Sequence, residues 1–270
     1  MPYPPHTPLG RFGVDTLRAE PTGAVATIPA GGLVNPVTGT PTLAVLAMLV
    51  DHACGVVNHL RRGPDRWTVS GELALQLTPE AVEVVAARPD EPVRATARPV
   101  GPARDTALAA CELTHGATVI GTGSVYSCFI PDPGGHTHTG AEADRPAAAV
   151  PDPADLTAVM ALRPAAGEAA TVLYQLPDPV LNNTLGIVHG GVSASALELA
   201  ASAALNADRG DAPLRTGSLQ VNFLRRFVVG PRSRYVGTVL RAGRGTGVAE
   251  ARAVDDDGRT AIAARLTAYR

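Results

Sequence analysis

"NTLGIVHGGVSASALELAASAALNAD", residues 183–208, runs a histidine and two glycines directly into a long stretch rich in alanine and leucine. The stretch has the length and composition of a helix, with His189-Gly190-Gly191 at its start. Strand-like "ATVLYQL" (170–176) precedes it. Four strand-like runs follow, "LRTGSLQVNFLRR" (214–226), "SRYVGTVLRAG" (233–243), "GVAEARAVD" (247–255) and "TAIAARLTAYR" (260–270). "DDDG" (255–258) between the last two has the character of a hairpin turn. Strand, long helix, then four strands predicts an α+β unit in which an antiparallel sheet packs against one helix.

The first half of the chain repeats this order. "GAVATIP" (23–29) leads to helical "TPTLAVLAMLVDHACGVVNHLRR" (40–62), then to "WTVSGELALQL" (67–77), "VRATARPV" (93–100), "TALAACELTH" (106–115) and "TVIGTGSVYSCFI" (118–130), with a turn at His115-Gly116. The repeated order predicts an internal duplication, each half burying a sheet face against its own helix. Between the halves lies a Pro-, Gly- and Asp-rich stretch without periodicity, as a linker has. The expected division is an N-terminal repeat over 1–130, a linker over 131–155 and a C-terminal repeat over 156–270. His136 and His138 in the linker have no Asp, Glu or Cys at ligand spacing, so no metal is expected.

Of the 270 residues, 45% are hydrophobic and 18% charged, which allows a sizeable core. The net charge is −2 and every basic residue is arginine, so nucleic acid is not an expected partner. No apolar run reaches the roughly 18 residues of a membrane span. Cys54, Cys111 and Cys128 are odd in number and lack zinc or disulfide spacing, and "MPYPPHTPLG" lacks the pattern of a signal peptide; a cytoplasmic location is expected.

The residues resemble the hotdog-fold acyl-CoA thioesterases of the PaaI-like type. The likeness is carried by Asn183, "GIVHGG", Glu198 nine positions after His189, Thr216 opening "TGSLQVNFLRR", and the later "RAGR" and "DDDG". The first half shares the element order with Asn35, Asp51 and Thr68, but not the His-Gly-Gly. The resemblance implies a double hotdog, two fused repeats imitating the family's usual dimer, with further assembly into a homo-oligomer such as a dimer of double hotdogs. The duplicated strand order and the need to cover sheet edges predict that the two sheets join edge to edge.

A helix N-terminus exposes unpaired N–H groups and partial positive charge, which suits it to a carbonyl oxygen that becomes negative during acyl transfer. Gly190, with Gly191 as a second candidate, would present such an N–H to a thioester. A carboxylate is also needed, as nucleophile or general base, and Asp51 and Glu198 lie on the two apolar helices at matching places. By the resemblance, a site forms between the repeats, pairing Asn183, His189 and Gly190 with Asp51 and Thr68. The reciprocal site would pair Asn35 with Glu198 and Thr216, and His189 is matched there by Pro41 or Thr42, depending on where a one-residue gap falls. Proline has no N–H to donate, so this second site is expected to be degenerate. Arg225, Arg226, Arg241 and Arg244 are candidates for the phosphates of coenzyme A. His52, His59 and Trp67 are expected to pack. The expected activity is hydrolysis of an acyl-CoA or carrier-bound acyl thioester with no cofactor beyond the coenzyme A of the substrate. The alternatives are a non-catalytic acyl-binding or assembly protein and a hotdog enoyl-CoA hydratase or dehydratase.

Overall fold

The computed structural model describes residues 3–132, 134, 151–165, 172–210 and 212–270. His136, His138 and most of the expected linker lie outside them. The first repeat contains α1 (Pro8–Arg11), β1 (Asp15–Glu20), β2 (Gly23–Ile28), α2 (Leu46–His59), β3 (Arg66–Leu77), α3 (Ala81–Ala86), β4 (Val93–Val100), β5 (Thr106–His115) and β6 (Thr118–Pro131). The second contains α4 (Leu156–Val159), β7 (Leu162–Pro164), β8 (Val172–Gln175), α5 (Gly190–Asn206), β9 (Arg215–Phe223), β10 (Arg234–Ala242), β11 (Thr246–Val254) and β12 (Thr260–Tyr269).

All the strands form one sheet in the order β1-β2-β4-β5-β6-β3-β9-β12-β11-β10-β8-β7, in which the second half mirrors the first. The repeats meet where β3 pairs antiparallel with β9, with Leu73 opposite Val221 and Leu75 opposite Leu219. Joining these two edges removes them from solvent. The remaining edges are β1 and β7, one largely exposed and the other only three residues long. That is why neither announced itself in the sequence: an edge strand that buries little carries no apolar alternation.

Each sheet half curves around its own helix, α2 lying against β2 to β6 and α5 against β9 to β12. Both helices are buried over most of their surface, α5 from Gly191 to Asn206 without a break. Its run of Ala and Ser allows close approach: a Cβ on Gly237 of β10 would stand 2.2 Å from the Ala200 carbonyl oxygen. The helix expected from Thr40 begins only at Leu46. The residues before it are held as a loop by an isolated bridge between Val34 and Pro41 and by the Thr42 hydroxyl, which accepts from the Ala44 N–H at 3.1 Å.

Candidate active site

The helices of the two repeats also touch each other, and there the N-terminus of α5 lands on the middle of α2. A Cβ on Gly191 would meet Met48 Sδ at 2.7 Å and Met48 Cα at 2.8 Å, so only glycine lets the helices come this close. The contact brings His189 Nδ1 of the second repeat to 3.5 Å from Asp51 Oδ2 of the first. The other carboxylate oxygen, Oδ1, accepts a hydrogen bond of 2.8 Å from the Ser70 hydroxyl on β3. These groups sit in a cavity of about 750 Å³ whose walls come from both repeats, among them Asp51, Ser70, Asn183, His189 and Gly190. Asp51 is only 7% exposed.

His189 is the N-cap of α5: its Nδ1 accepts the Gly191 N–H at 3.1 Å. Burial pushes its pKa below the ordinary histidine value, against the pull of Asp51 in the other direction. Burial thus favours the neutral ring, in which Nδ1 is occupied as acceptor and the proton belongs on Nε2. The contact with Asp51 is then a close approach of two acceptors rather than an ion pair. Capping by His189 also decides between the two glycines. The Gly191 N–H is taken, whereas the Gly190 N–H has no acceptor among the described residues, and Gly190 lines the cavity. The Asn183 side chain shapes the approach, its Oδ1 accepting the N–H groups of Leu185 at 2.9 Å and Ile187 at 3.4 Å. His52 also lines the cavity, its pKa lowered to about 3 chiefly by burial. Its Nε2 lies 2.7 Å from the Thr16 hydroxyl and its ring meets Tyr3 edge-on.

The reciprocal arrangement is present and closed. The bridges Asn182–Val188 and Val34–Pro41 align the two loops, so the residue after each bridge, His189 or Thr42, takes the same place. The proline argument for a degenerate second site is thereby corrected, because Thr42 and not Pro41 stands where His189 does. Gly190 is matched by Leu43. Thr42 Oγ1 meets Glu198 Oε2 at 3.2 Å, and the Thr216 hydroxyl donates to Glu198 Oε1. The Asn35 amide donates to the Leu199 carbonyl at 2.9 Å and the Ser202 hydroxyl at 3.0 Å. Only about 20 Å³ remains among these groups. Helix α3, in the β3–β4 connection, lies over them: Val82 lines the gap and Glu83 pairs with Arg215. The corresponding connection of the second repeat instead leaves Arg225 and Arg226 exposed at the large cavity.

The same comparison corrects the place of Thr68. Thr216 reaches a carboxylate 18 positions before it, and the residue that does so in the first repeat is Ser70, 19 positions after Asp51. Thr68 lines the cavity but sits 3.2 Å from His59 Nδ1, away from Asp51. Sequence spacing missed Ser70 because one more residue separates it from the end of α2 at His59 than separates Thr216 from the end of α5 at Asn206. The four arginines also separate. Arg241 and Arg244 lie at the β10–β11 hairpin, which Arg209 ties to the C-terminal end of α5 through the Gly243 carbonyl, remote from the Gly190 end.

Glu198 yields a prediction of its own. Burial pushes its carboxyl pKa up, against the hydroxyls of Thr216, Thr42 and Ser202. A raised carboxyl pKa means that the folded state holds the proton more tightly than the unfolded chain does. That stabilisation is complete below the ordinary carboxylate range and is lost as pH rises through the folded value. Glu198→Gln, neutral throughout, is expected to gain in Tm over the wild type as pH goes from about 5 to about 8. Parallel thermal melts that move together across this range would contradict it.

No curated protein sequence matches the chain. Residues 185–262 match the family model of the Thioesterase superfamily. Among solved structures, the tesB protein of Mycobacterium avium subsp. paratuberculosis is similar over 94% of this chain and 95% of its own, with a TM-score of 0.60 at 12% identity. An acyl-CoA thioesterase II from Mycobacterium marinum covers 94% of this chain and 95% of its own at a TM-score of 0.52 and 18% identity. An acyl-ACP thioesterase from Bacteroides thetaiotaomicron covers 91% and 97% at 0.52 and 10%. At such identities the likeness to these structures is one of fold. The mirrored sheet, the two enclosed helices and the match over the second repeat agree: the chain is a double-hotdog protein whose second repeat carries the sequence pattern of the Thioesterase superfamily.

Proposed function

We propose that the protein hydrolyses an acyl thioester, of coenzyme A or of an acyl carrier, at the composite site between its repeats. The observation that carries this reading is the placement of the Asp51 carboxylate beside Gly190, the first residue of α5, whose N–H has no acceptor among the described residues, in the cavity between the repeats. The thioester carbonyl would lie against the Gly190 N–H, whose hydrogen bond strengthens as the oxygen gains negative charge. Asp51 acts on the carbonyl carbon, either directly as nucleophile or by taking a proton from the attacking water. Ser70 holds one carboxylate oxygen and leaves the other turned toward His189 and Gly190. The His189 ring fixes the start of α5 and so the direction of the Gly190 N–H. On the general-base route, collapse of the water adduct breaks the carbon–sulfur bond and the proton held by Asp51 passes to the sulfur, giving a carboxylic acid and a free thiol. On the nucleophilic route the same bond breaks to leave an acyl anhydride on Asp51, which water then cleaves to the acid.

Arg225 and Arg226, exposed at the cavity mouth, are placed to meet phosphate oxygens of coenzyme A or of a carrier's phosphopantetheine arm. The names of the structurally similar acyl-CoA and acyl-ACP thioesterases suit either carrier. The test is a panel of acyl-CoA thioesters with a free-thiol readout. Thiol release supports the reading; hydration of an enoyl-CoA, or binding without turnover, overturns it.

A further inference from the structure

The open site and its closed counterpart differ at one helical position that the mechanism does not use. Four residues after Glu198 stands Ser202, whose hydroxyl bonds Asn35 and helps to fill the second site. Four residues after Asp51, on the same face of α2, stands Gly55, and it lines the cavity. A Cβ built on Gly55 has no atom within 4 Å, so a side chain there would enter the cavity rather than collide with the protein. Glycine inside a helix is destabilising relative to alanine, and packing does not require it here.

The cavity is also graded along its length. Its α5 side carries Thr184 and the exposed Arg225 and Arg226, whereas the wall beyond Asp51 is formed by Gly55, Val56, Val69 and Ile130. That wall ends at His59 and Trp67, whose rings meet edge-on at 5.1 Å. From Asp51 to His59 the helix advances about 12 Å. A group leaving the Asp51 carboxylate in this direction passes Gly55 within one turn.

Resting on the thioesterase reading, we propose that Gly55 is the specificity-determining residue of the site: its missing side chain opens an apolar channel along α2 that accepts a straight-chain acyl group longer than acetyl. The test uses the full chain with Gly55→Ala and Gly55→Leu, each checked by thermal melting, on acetyl-, hexanoyl- and decanoyl-CoA with thiol release as readout. Calorimetric binding of decanoate to the same three proteins provides a readout independent of turnover. Gly55→Leu is expected to lower kcat/KM for decanoyl-CoA relative to acetyl-CoA on the order of 10–200-fold and to weaken decanoate binding in parallel. Gly55→Ala gives a smaller change in the same direction, with a raised Tm. Unchanged chain-length preference and unchanged decanoate binding in both folded variants would overturn the proposal. A wild type that releases no thiol yet binds decanoate in a Gly55-dependent manner would remove the thioesterase reading and leave the channel standing. Absence of both turnover and decanoate binding in the wild type would remove both.

Discussion

Asp51→Asn is expected to lower kcat for thioester hydrolysis by roughly 10²–10⁴-fold, the range that a positioned general base contributes. The substitution keeps the size of the side chain and removes its charge. Asparagine Oδ1 can still accept the Ser70 hydroxyl that now holds Asp51 at 2.8 Å, so the side chain should stay in place. Circular dichroism and the melting curve are accordingly expected to match the wild type. Glu198→Gln is the internal comparison, because Glu198 lies in the closed counterpart, where only about 20 Å³ is free, and its activity should stay near the wild-type value. Equal losses from the two variants would mean two working sites. Loss from Glu198→Gln alone would transfer the carboxylate role to Glu198.

The second large effect concerns the backbone donor. Gly190 is the first helical residue of α5, the position at which proline is best tolerated, since its fixed φ suits the helix and its missing N–H breaks no helical bond. Gly190→Pro therefore removes the N–H proposed to meet the thioester carbonyl while sparing the helix start. Any new Cβ lies 3.1 Å from Asp51 Oδ2 and 3.3 Å from the Phe223 ring, so part of the effect is steric. Gly190→Ala adds that same carbon and keeps the donor. The expected result is that Gly190→Pro falls below Gly190→Ala by about 10²–10³-fold in kcat, the usual loss for one oxyanion donor. Equal rates for the two variants would show that the Gly190 N–H does not touch the reacting oxygen.

The duplicated order of strand and helix was legible because each interior element carries its period openly. β4, for instance, buries Val93, Ala95 and Ala97 in alternation. Asp51, His189 and Gly190 could be brought together from the sequence because two matching helices each carry a carboxylate at one place, and the family resemblance crosses them. Ser70 was hidden by one extra residue between it and the end of α2, which puts the two repeats out of step when they are compared without a gap. The choice between Pro41 and Thr42 was left open by the extra residue in that loop, and the Val34–Pro41 bridge decides it in favour of Thr42. Gly55 carried no signal at all, since the meaning of a missing side chain depends on the empty space beside it. The lining supplied by Tyr3, Pro8 and Leu9 was equally silent, because those residues reach the cavity through tertiary folding alone.

The covalent tie between the repeats has a consequence for how the molecule can change. In a symmetric pair of identical chains, every substitution strikes both sites at once, so neither can be surrendered without the other. Here the β3–β9 seam preserves the paired architecture while each half carries its own gene segment. One pocket has been plugged by Thr42, Leu43 and α3, and the ion pair of Glu83 with Arg215 fastens the plug across the two halves. On the proposed reading, the closed half serves as a scaffold for its neighbour, and the expected stoichiometry is one reacting centre for each 270-residue chain.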